Sequence, residues 1–388
     1  MEMANHQRTT GELEKEDPLN QTRKTFTIGS LALTAVVISC IAILNINLYP
    51  QYIRKLNTWP NKASKLTERK LNAGDGHLGI IWLYSFPNSG TTYFMHTMQK
   101  MSNKATATNY GTSMLDTNGE ITTMPGFDSM PVLEDEPSPA FFSLLPSPDK
   151  YIVTRTHSYG TCFDCPPWKY MGPTAHLRHM NINNYATLVK DNKETTVEYS
   201  MDLVKKLLLL VRDPMDNIAA RFLQKVASEV NDGNTAYGDL YAENKDGFKQ
   251  FCADMDTSEY RDMERNWYSK YDFWPEVESV PCRSEFVKLF YFYNYARLIM
   301  IEYKLDWKVV TLKDLAKDPD STMADVFNYV SLEVVGPAPE NLLGDGHSLF
   351  HHFYTEDQIK AIAELGKKIL FPAVWTEGFA TYLEKFLS

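Results

Sequence analysis

The sequence predicts an α/β fold, with a parallel sheet covered by helices on both faces. Two observations carry that expectation. The first is a set of short runs that are apolar almost without interruption: LGIIWLYS (78–85), YIVTRT (151–156), KKLLLLVR (205–212) and, later, WKVVTL (307–312). A strand with one wet face would alternate apolar and polar, so these read as strands buried on both sides. The second is the helix-like periodicity that comes after them, which gives the strand–helix alternation of a parallel sheet.

Each element has its own justification. After the first run, Phe94, Met98 and Met101 share one helical face, as do Met95 and Met98. After the third, DPMDNIAARFLQKVASEV begins with Asp213 as cap and Pro214 in the first turn. TMADVFNYVSLE and TEDQIKAIAELGKKIL are two further amphipathic helices. FVKLFYFYNYARLIM (286–300), with Phe290, Tyr293 and Arg297 on one face, reads as a buried helix rather than a sugar-stacking surface. Residues 111–150 and 231–285 break the rhythm and are expected to be long insertions around a site. No repeat at a fixed period is present.

The chain has 388 residues and a formal net charge of −10. Positive charge gathers in residues 54–70, where Arg54, Lys55, Lys62, Lys65, Arg69 and Lys70 face only Glu68. Everything after that stretch is therefore more acidic than the total suggests, which argues against nucleic acid or other polyanions as partners.

Residues 26–49 (FTIGSLALTAVVISCIAILNINLY) carry no charged side chain. At ~1.5 Å per residue they can span a ~30 Å hydrocarbon core. A long polar stretch before them and no A-x-A site after them favour an uncleaved anchor over a signal peptide. The expected organisation is an N-terminal tail (1–25), a single transmembrane helix (26–49), a stem (50–77) and a folded domain (78–388). Lys and Arg flank both ends of the anchor, so charge alone leaves its orientation open. Of the five cysteines, Cys40 lies in the anchor. Cys162, Cys165, Cys252 and Cys282 permit two disulfides of undetermined connectivity.

Directly after the first strand comes SFPNSGTTYF (85–94). Strand, turn and helix in this order aim backbone N–H groups and a helix N-terminus at an anion, a P-loop-type arrangement. Gly90 permits close approach, while Thr91 and Thr92 add hydroxyls. A nucleotide kinase would require a Gly-Lys pair that the loop lacks.

This loop resembles the 5′-phosphosulfate loop of the sulfotransferases, usually Pro-Lys-Ser-Gly-Thr-Thr. LLLLVRDPMDNIAARF (207–222) resembles that family's 3′-phosphate segment, TRTHS (154–158) its Lys-Thr-His element, and WKVVTLKDLAKDPDSTMADVFNYVSLE (307–333) its late strand, acidic turn and helix. The resemblance runs over about 79–388 and implies a membrane-anchored enzyme using 3′-phosphoadenosine 5′-phosphosulfate (PAPS) without a metal. It implies a Golgi-type, single-pass type II protein with a luminal catalytic domain and a carbohydrate or glycoconjugate acceptor. A homodimer is left open. Pro87, Asn88, Ser89, Gly90, Thr91 and Thr92 would hold the 5′-phosphate and Arg212 the 3′-phosphate. His157 would be the general base, beside Arg155.

Three departures qualify the likeness. Asn88 replaces the loop lysine. Ala220 stands where the family places a phosphate-binding serine, with Arg221 next to it expected to be a solvated helix residue. The C-terminal Arg-Lys-Gly clamp is missing, and GDGHSLFHHFYTEDQ (344–358) resembles only the family's segment beyond that clamp. A non-catalytic PAPS-binding scaffold and a P-loop kinase of a small hydroxyl compound are the competing readings. Cys162, Cys165, His176 and His179 also form a possible zinc set, at spacings shorter than those of zinc fingers.

Overall fold

The computed structural model describes residues 79–104, 106–109, 129–130, 150–161, 167, 170–171, 185–190, 193–198, 201–257, 265–339, 348 and 350–387. The expected tail, anchor and stem lie outside these residues, as do Cys162, Cys165, His176 and His179. Among the described residues, no helix is long and apolar enough to cross a membrane.

The four apolar runs form strands β1 (Gly79–Ser85), β4 (Tyr151–Thr156), β7 (Val204–Val211) and β8 (Asp306–Thr311). They join the short strands β2 (Thr106–Thr108) and β3 (Ser129–Met130) in one sheet of order β3-β2-β4-β1-β7-β8, parallel at every pairing. A separate antiparallel pair, β5 (Tyr185–Lys190) and β6 (Lys193–Glu198), falls where no strand was expected.

Alternation along β1 divides the core in two. Ile80, Trp82 and Tyr84 pack on one side, Ile81 and Leu83 on the other. The second side is covered by α1 (Thr91–Ser102) through Phe94, Met95, Met98 and Met101. The first is covered by α2 (Pro214–Asn231), through Met215, Ile218 and Phe222. Both faces are thus dry, which is why these strands read as unbroken apolar runs.

Residues 231–285 differ from the expected irregular insertion. They contain α3 (Thr235–Leu240), α4 (Lys245–Thr257) and α5 (Trp274–Ser279). Aromatic composition hid this helical content, because Phe248 and Phe251 are core contacts rather than a loop surface. A disulfide, Cys252–Cys282, ties α4 to the start of α6 (Arg283–Tyr303). Closing that loop stabilises the fold by about 3–4 kcal/mol in the chain-entropy account. As expected, α6 is buried over most of its length. Further along are α7 (Leu312–Lys317), α8 (Pro319–Val330) and α9 (Glu356–Ile369), the last opened by a Thr355–Gln358 capping box, and short helical turns over 372–386 close the described chain.

In the sheet order, β4 and β7 lie on opposite sides of β1. The connections leaving β1 and β7 therefore diverge at the strands' C-terminal ends, where open α/β sheets form a crevice.

Candidate functional site

The loop after β1 is shaped by two left-handed residues, Asn88 (φ 65°) and Gly90 (φ 86°). Asparagine tolerates this conformation, whereas most side chains pay about 1–2 kcal/mol for it. At Gly90 a Cβ would sit 2.6 Å from Leu312 Cδ1, so a methyl there requires that side chain to move. Helix α1 starts immediately afterwards with no side-chain cap and no acidic residue in its first turn. Its intrahelical bonding begins with Phe94 N–H donating to the Gly90 carbonyl at 3.0 Å. The N–H groups of Thr91, Thr92 and Tyr93 precede that bond, so no intrahelical carbonyl reaches them.

Neighbouring elements fix the loop from the side and from below. Asn217 of α2, only 1% exposed, donates Nδ2 to the Pro87 carbonyl at 2.9 Å and to Ser89 Oγ at 3.0 Å. Tyr293 of α6 donates its hydroxyl to the Leu210 carbonyl at 2.8 Å and lies 3.3 Å from Ser89 Oγ. Ser89 is fully buried and its own N–H bonds the Phe86 carbonyl at 3.2 Å. Ser89 was expected among the residues that hold the 5′-phosphate; its hydroxyl lies against Asn217 and Tyr293 and braces the turn. The Oδ1 atoms of Asn88 and Asn217 are buried without a hydrogen-bond partner among the described residues. Such atoms are costly and concentrate where function demands them.

His157 follows β4, whose neighbour in the sheet is β1. Its Nδ1 lies 2.8 Å from the Ser85 carbonyl and 3.3 Å from Ser85 Oγ. The carbonyl can only accept, so Nδ1 carries the hydrogen and Nε2 the lone pair. Ser85 Oγ is also 2.7 Å from Thr91 Oγ1, which links the histidine to the first residue of α1. Burial above all, then the charge of Arg155 and that of Arg221, push the His157 pKa down to about 3, against an opposing pull from the Ser85 carbonyl. Arg155 itself is half-buried and donates Nε to Thr108 Oγ1 at 3.3 Å.

Arg212 leaves the end of β7 and donates Nη1 to the Asn88 carbonyl at 2.8 Å. Its guanidinium is therefore at the turn, not turned into the core. Burial lowers its pKa, while Asp216 and Asp213 oppose that shift. These two carboxylates are otherwise engaged. Asp213 caps α2 through the Met215 and Asp216 N–H groups and pairs with His351 Nε2 at 2.9 Å. Asp216 accepts from Ser348 Oγ at 2.7 Å and Phe350 N–H at 2.9 Å. Asp213, Asp216 and His351 have the donor types of a metal site, with ligand atoms within 4.8 Å of one another. Those same atoms dock Ser348, Phe350 and His351 onto α2.

Arg221 corrects an expectation. It is 3% exposed, not solvated, and pairs with Glu285 Oε2 at 3.0 Å while stacking over the Phe86 ring at 4.8 Å. Glu285 Oε1 also binds fully buried Lys288, giving a cluster of two cations and one anion. Ala220 offers no hydroxyl.

The structure brings Pro87 to Thr92, His157 and Arg212 together at the C-terminal ends of β1, β4 and β7. Arg155 projects toward β2. Sequence reasoning missed Asn217, Tyr293 and Ser85. Only Asn217 left a signal: an asparagine inside a helix, where it competes with the backbone, calls for a tertiary partner. No family model matches the chain, and no curated protein matches it.

Proposed function

We propose that the protein transfers a sulfuryl group from PAPS to a hydroxyl of a carbohydrate or glycoconjugate, with His157 as general base. The observation that carries this reading is the meeting of an uncapped helix N-terminus with a histidine whose tautomer is fixed by the Ser85 carbonyl. In the reaction, the acceptor oxygen bonds to sulfur as the bond between sulfur and the 5′-phosphate oxygen breaks. The acceptor's proton passes to His157 Nε2, and the bond's electron pair stays on the phosphate as 3′,5′-ADP departs.

The N–H groups of Gly90, Thr91 and Thr92 and the Thr92 hydroxyl cradle the 5′-phosphate. Gly90, Asn217 and Tyr293 hold the turn in the shape that makes this cradle. Arg212 adds fixed positive charge beside the nucleotide's phosphates. A kinase reading is weakened by Thr91, which stands where a nucleotide-binding loop has lysine. The acidic balance of the domain favours a weakly charged acceptor. Residues 26–49 anchor the chain in the Golgi membrane as a single-pass type II protein. The neutral Asn88 favours a second reading, a PAPS-binding scaffold without turnover.

The deciding experiment incubates the full chain with sulfur-labelled PAPS and a panel of neutral glycans, sulfated or carboxylated glycans, peptides and sterols. A labelled neutral glycan is expected, with loss of about 10²–10⁴ in rate for His157→Ala. Tight 3′,5′-ADP binding with no labelled product would make the scaffold the correct reading. Turnover of ATP in place of PAPS would make it a kinase.

A further inference from the structure

Ser85 is the last residue of β1 and is fully buried, yet both of its oxygens are committed to the site. Its carbonyl takes the Nδ1 hydrogen of His157 at 2.8 Å, and its hydroxyl oxygen lies 3.3 Å from the same nitrogen. That hydroxyl also lies 2.7 Å from Thr91 Oγ1, on the first residue of α1. Either hydroxyl could donate across this contact, but the histidine decides which one does. Nδ1 carries a hydrogen, so it offers Ser85 Oγ no lone pair. Were Thr91 to donate, the Ser85 hydrogen would be stranded between two donors in a buried place, which is costly. Ser85 therefore donates to Thr91. The bonds run one way, from His157 Nδ1–H to Ser85 and from Ser85 to Thr91. They end on the hydroxyl hydrogen of Thr91, a residue 5% exposed whose own N–H is among the open donors of α1.

Resting on the sulfotransferase reading, we infer that the Ser85 hydroxyl is a positioning group that couples the base to the leaving phosphate, through a chain of hydrogen bonds that ends with Thr91 donating to the 5′-phosphate. As the acceptor oxygen bonds to sulfur, its proton moves to His157 Nε2 and the ring becomes a cation. Nδ1–H then donates more strongly. At the other end, the breaking sulfur–oxygen bond leaves its electron pair on the 5′-phosphate, which accepts more strongly from Thr91. No proton leaves either hydroxyl; each bond strengthens because its neighbours do. Charges of opposite sign thus grow at the two ends of one chain, and each stabilises the other. The link also works before the reaction. A phosphate seated on α1 orients the Thr91 and Ser85 hydroxyls, and these hold the imidazole with its Nε2 lone pair ready, so arrival of the donor sets the base. Ser85 touches neither substrate; it joins two groups that do.

The test uses the full chain and S85A, which removes the hydroxyl and keeps the carbonyl bond, together with T91V, T91S and the double variant S85A/T91V. With nitrogen-labelled histidine rings, the Nδ1–H signal that His157→Ala removes is followed as 3′,5′-ADP is added. A downfield move is expected in wild type and in T91S, and none in S85A or T91V at saturating nucleotide. In turnover with PAPS, S85A is expected to lower kcat about tenfold, with KM for PAPS changed by less than about threefold. T91V is expected to lose at least as much kcat, and S85A/T91V no more than T91V alone, since one cut opens the chain. A wild-type signal that ignores the nucleotide, a move that persists in S85A, or losses that multiply in the double variant overturns the inference. Should S85A lack a cooperative melting transition, T91V against T91S carries the comparison, and the same move in both overturns it. Wild-type protein that binds no 3′,5′-ADP refutes the sulfotransferase reading and this role with it. Wild-type protein that turns over PAPS, beside an S85A variant with kcat close to its own, refutes only the role given to Ser85.

Discussion

Helices α1 and α2 begin at the C-terminal ends of neighbouring strands and treat their first turns in opposite ways. Helix α2 carries its own anions: Asp213 caps it, Asp216 sits in the first turn, and both carboxylates are further occupied by Ser348, Phe350 and His351. Helix α1 has no cap, no acid and a glycine at the N-cap position. Both ends present the same partial positive charge. One has it neutralised within the fold and gains stability, whereas the other keeps it available and forgoes about 1 kcal/mol of capping energy. The difference separates a helix end that holds the molecule together from one that can take a ligand.

The largest test of that contrast gives α1 what α2 already has. Thr92→Asp puts a carboxylate into the first turn at a half-exposed position. It should weaken 3′,5′-ADP at least about a hundredfold in a titration, since like charges placed together cost several kcal/mol. Its melting temperature should hold or rise slightly. Retained binding would mean that α1 does not face the anion. Next in size is Gly90→Ala, which must enter a left-handed backbone and displace Leu312. Chemical denaturation should show a loss of about 2–4 kcal/mol. Smaller again is Asp213→Ala at the other helix, expected to cost about 1–2 kcal/mol through the lost cap, with nucleotide affinity nearly intact. If Asp213→Ala instead removed binding and Thr92→Asp did not, the roles of the two helix ends would be reversed.

The mildest expectation is a flat profile. Burial holds the His157 pKa down to about 3, so the base stays deprotonated from pH 8 to pH 5 and its titration imposes no acid limb on the rate there. The folded histidine binds fewer protons than the unfolded one, whose pKa is ~6.5. Its contribution to stability is therefore lost as pH falls from about 6.5 toward 3, and melting curves across that window should show the decline. An acid limb near pH 6.5 that disappears in His157→Ala would show that the ring is solvated.

The same two helices show what a sequence can reveal. The start of α2 was legible, because Asp213 followed by Pro214 is a local signal and the fold uses it locally. The four main strands were legible for the same reason, since double-sided burial writes itself into consecutive residues. What holds the α1 end was not legible. Asn217 lies 130 positions from Pro87 and Tyr293 lies 204 from Ser89, and no spacing rule connects such pairs before the sheet exists. The bonds of the Ser89 hydroxyl were hidden for the same reason, because Asn217 and Tyr293 are both distant in sequence. Arg221 looked solvated because its partner, Glu285, sits in another helix. The helices of 231–285 were obscured by aromatic residues that the core absorbs.

Glu285 holds two buried cations, Arg221 and Lys288, and Arg221 lies over the Phe86 ring. Mobile ions screen exposed charges over about 10 Å at 0.1 M, but they cannot enter a dry interior. These ion pairs should therefore survive in concentrated brine that loosens the exposed pairs of the surface lysines.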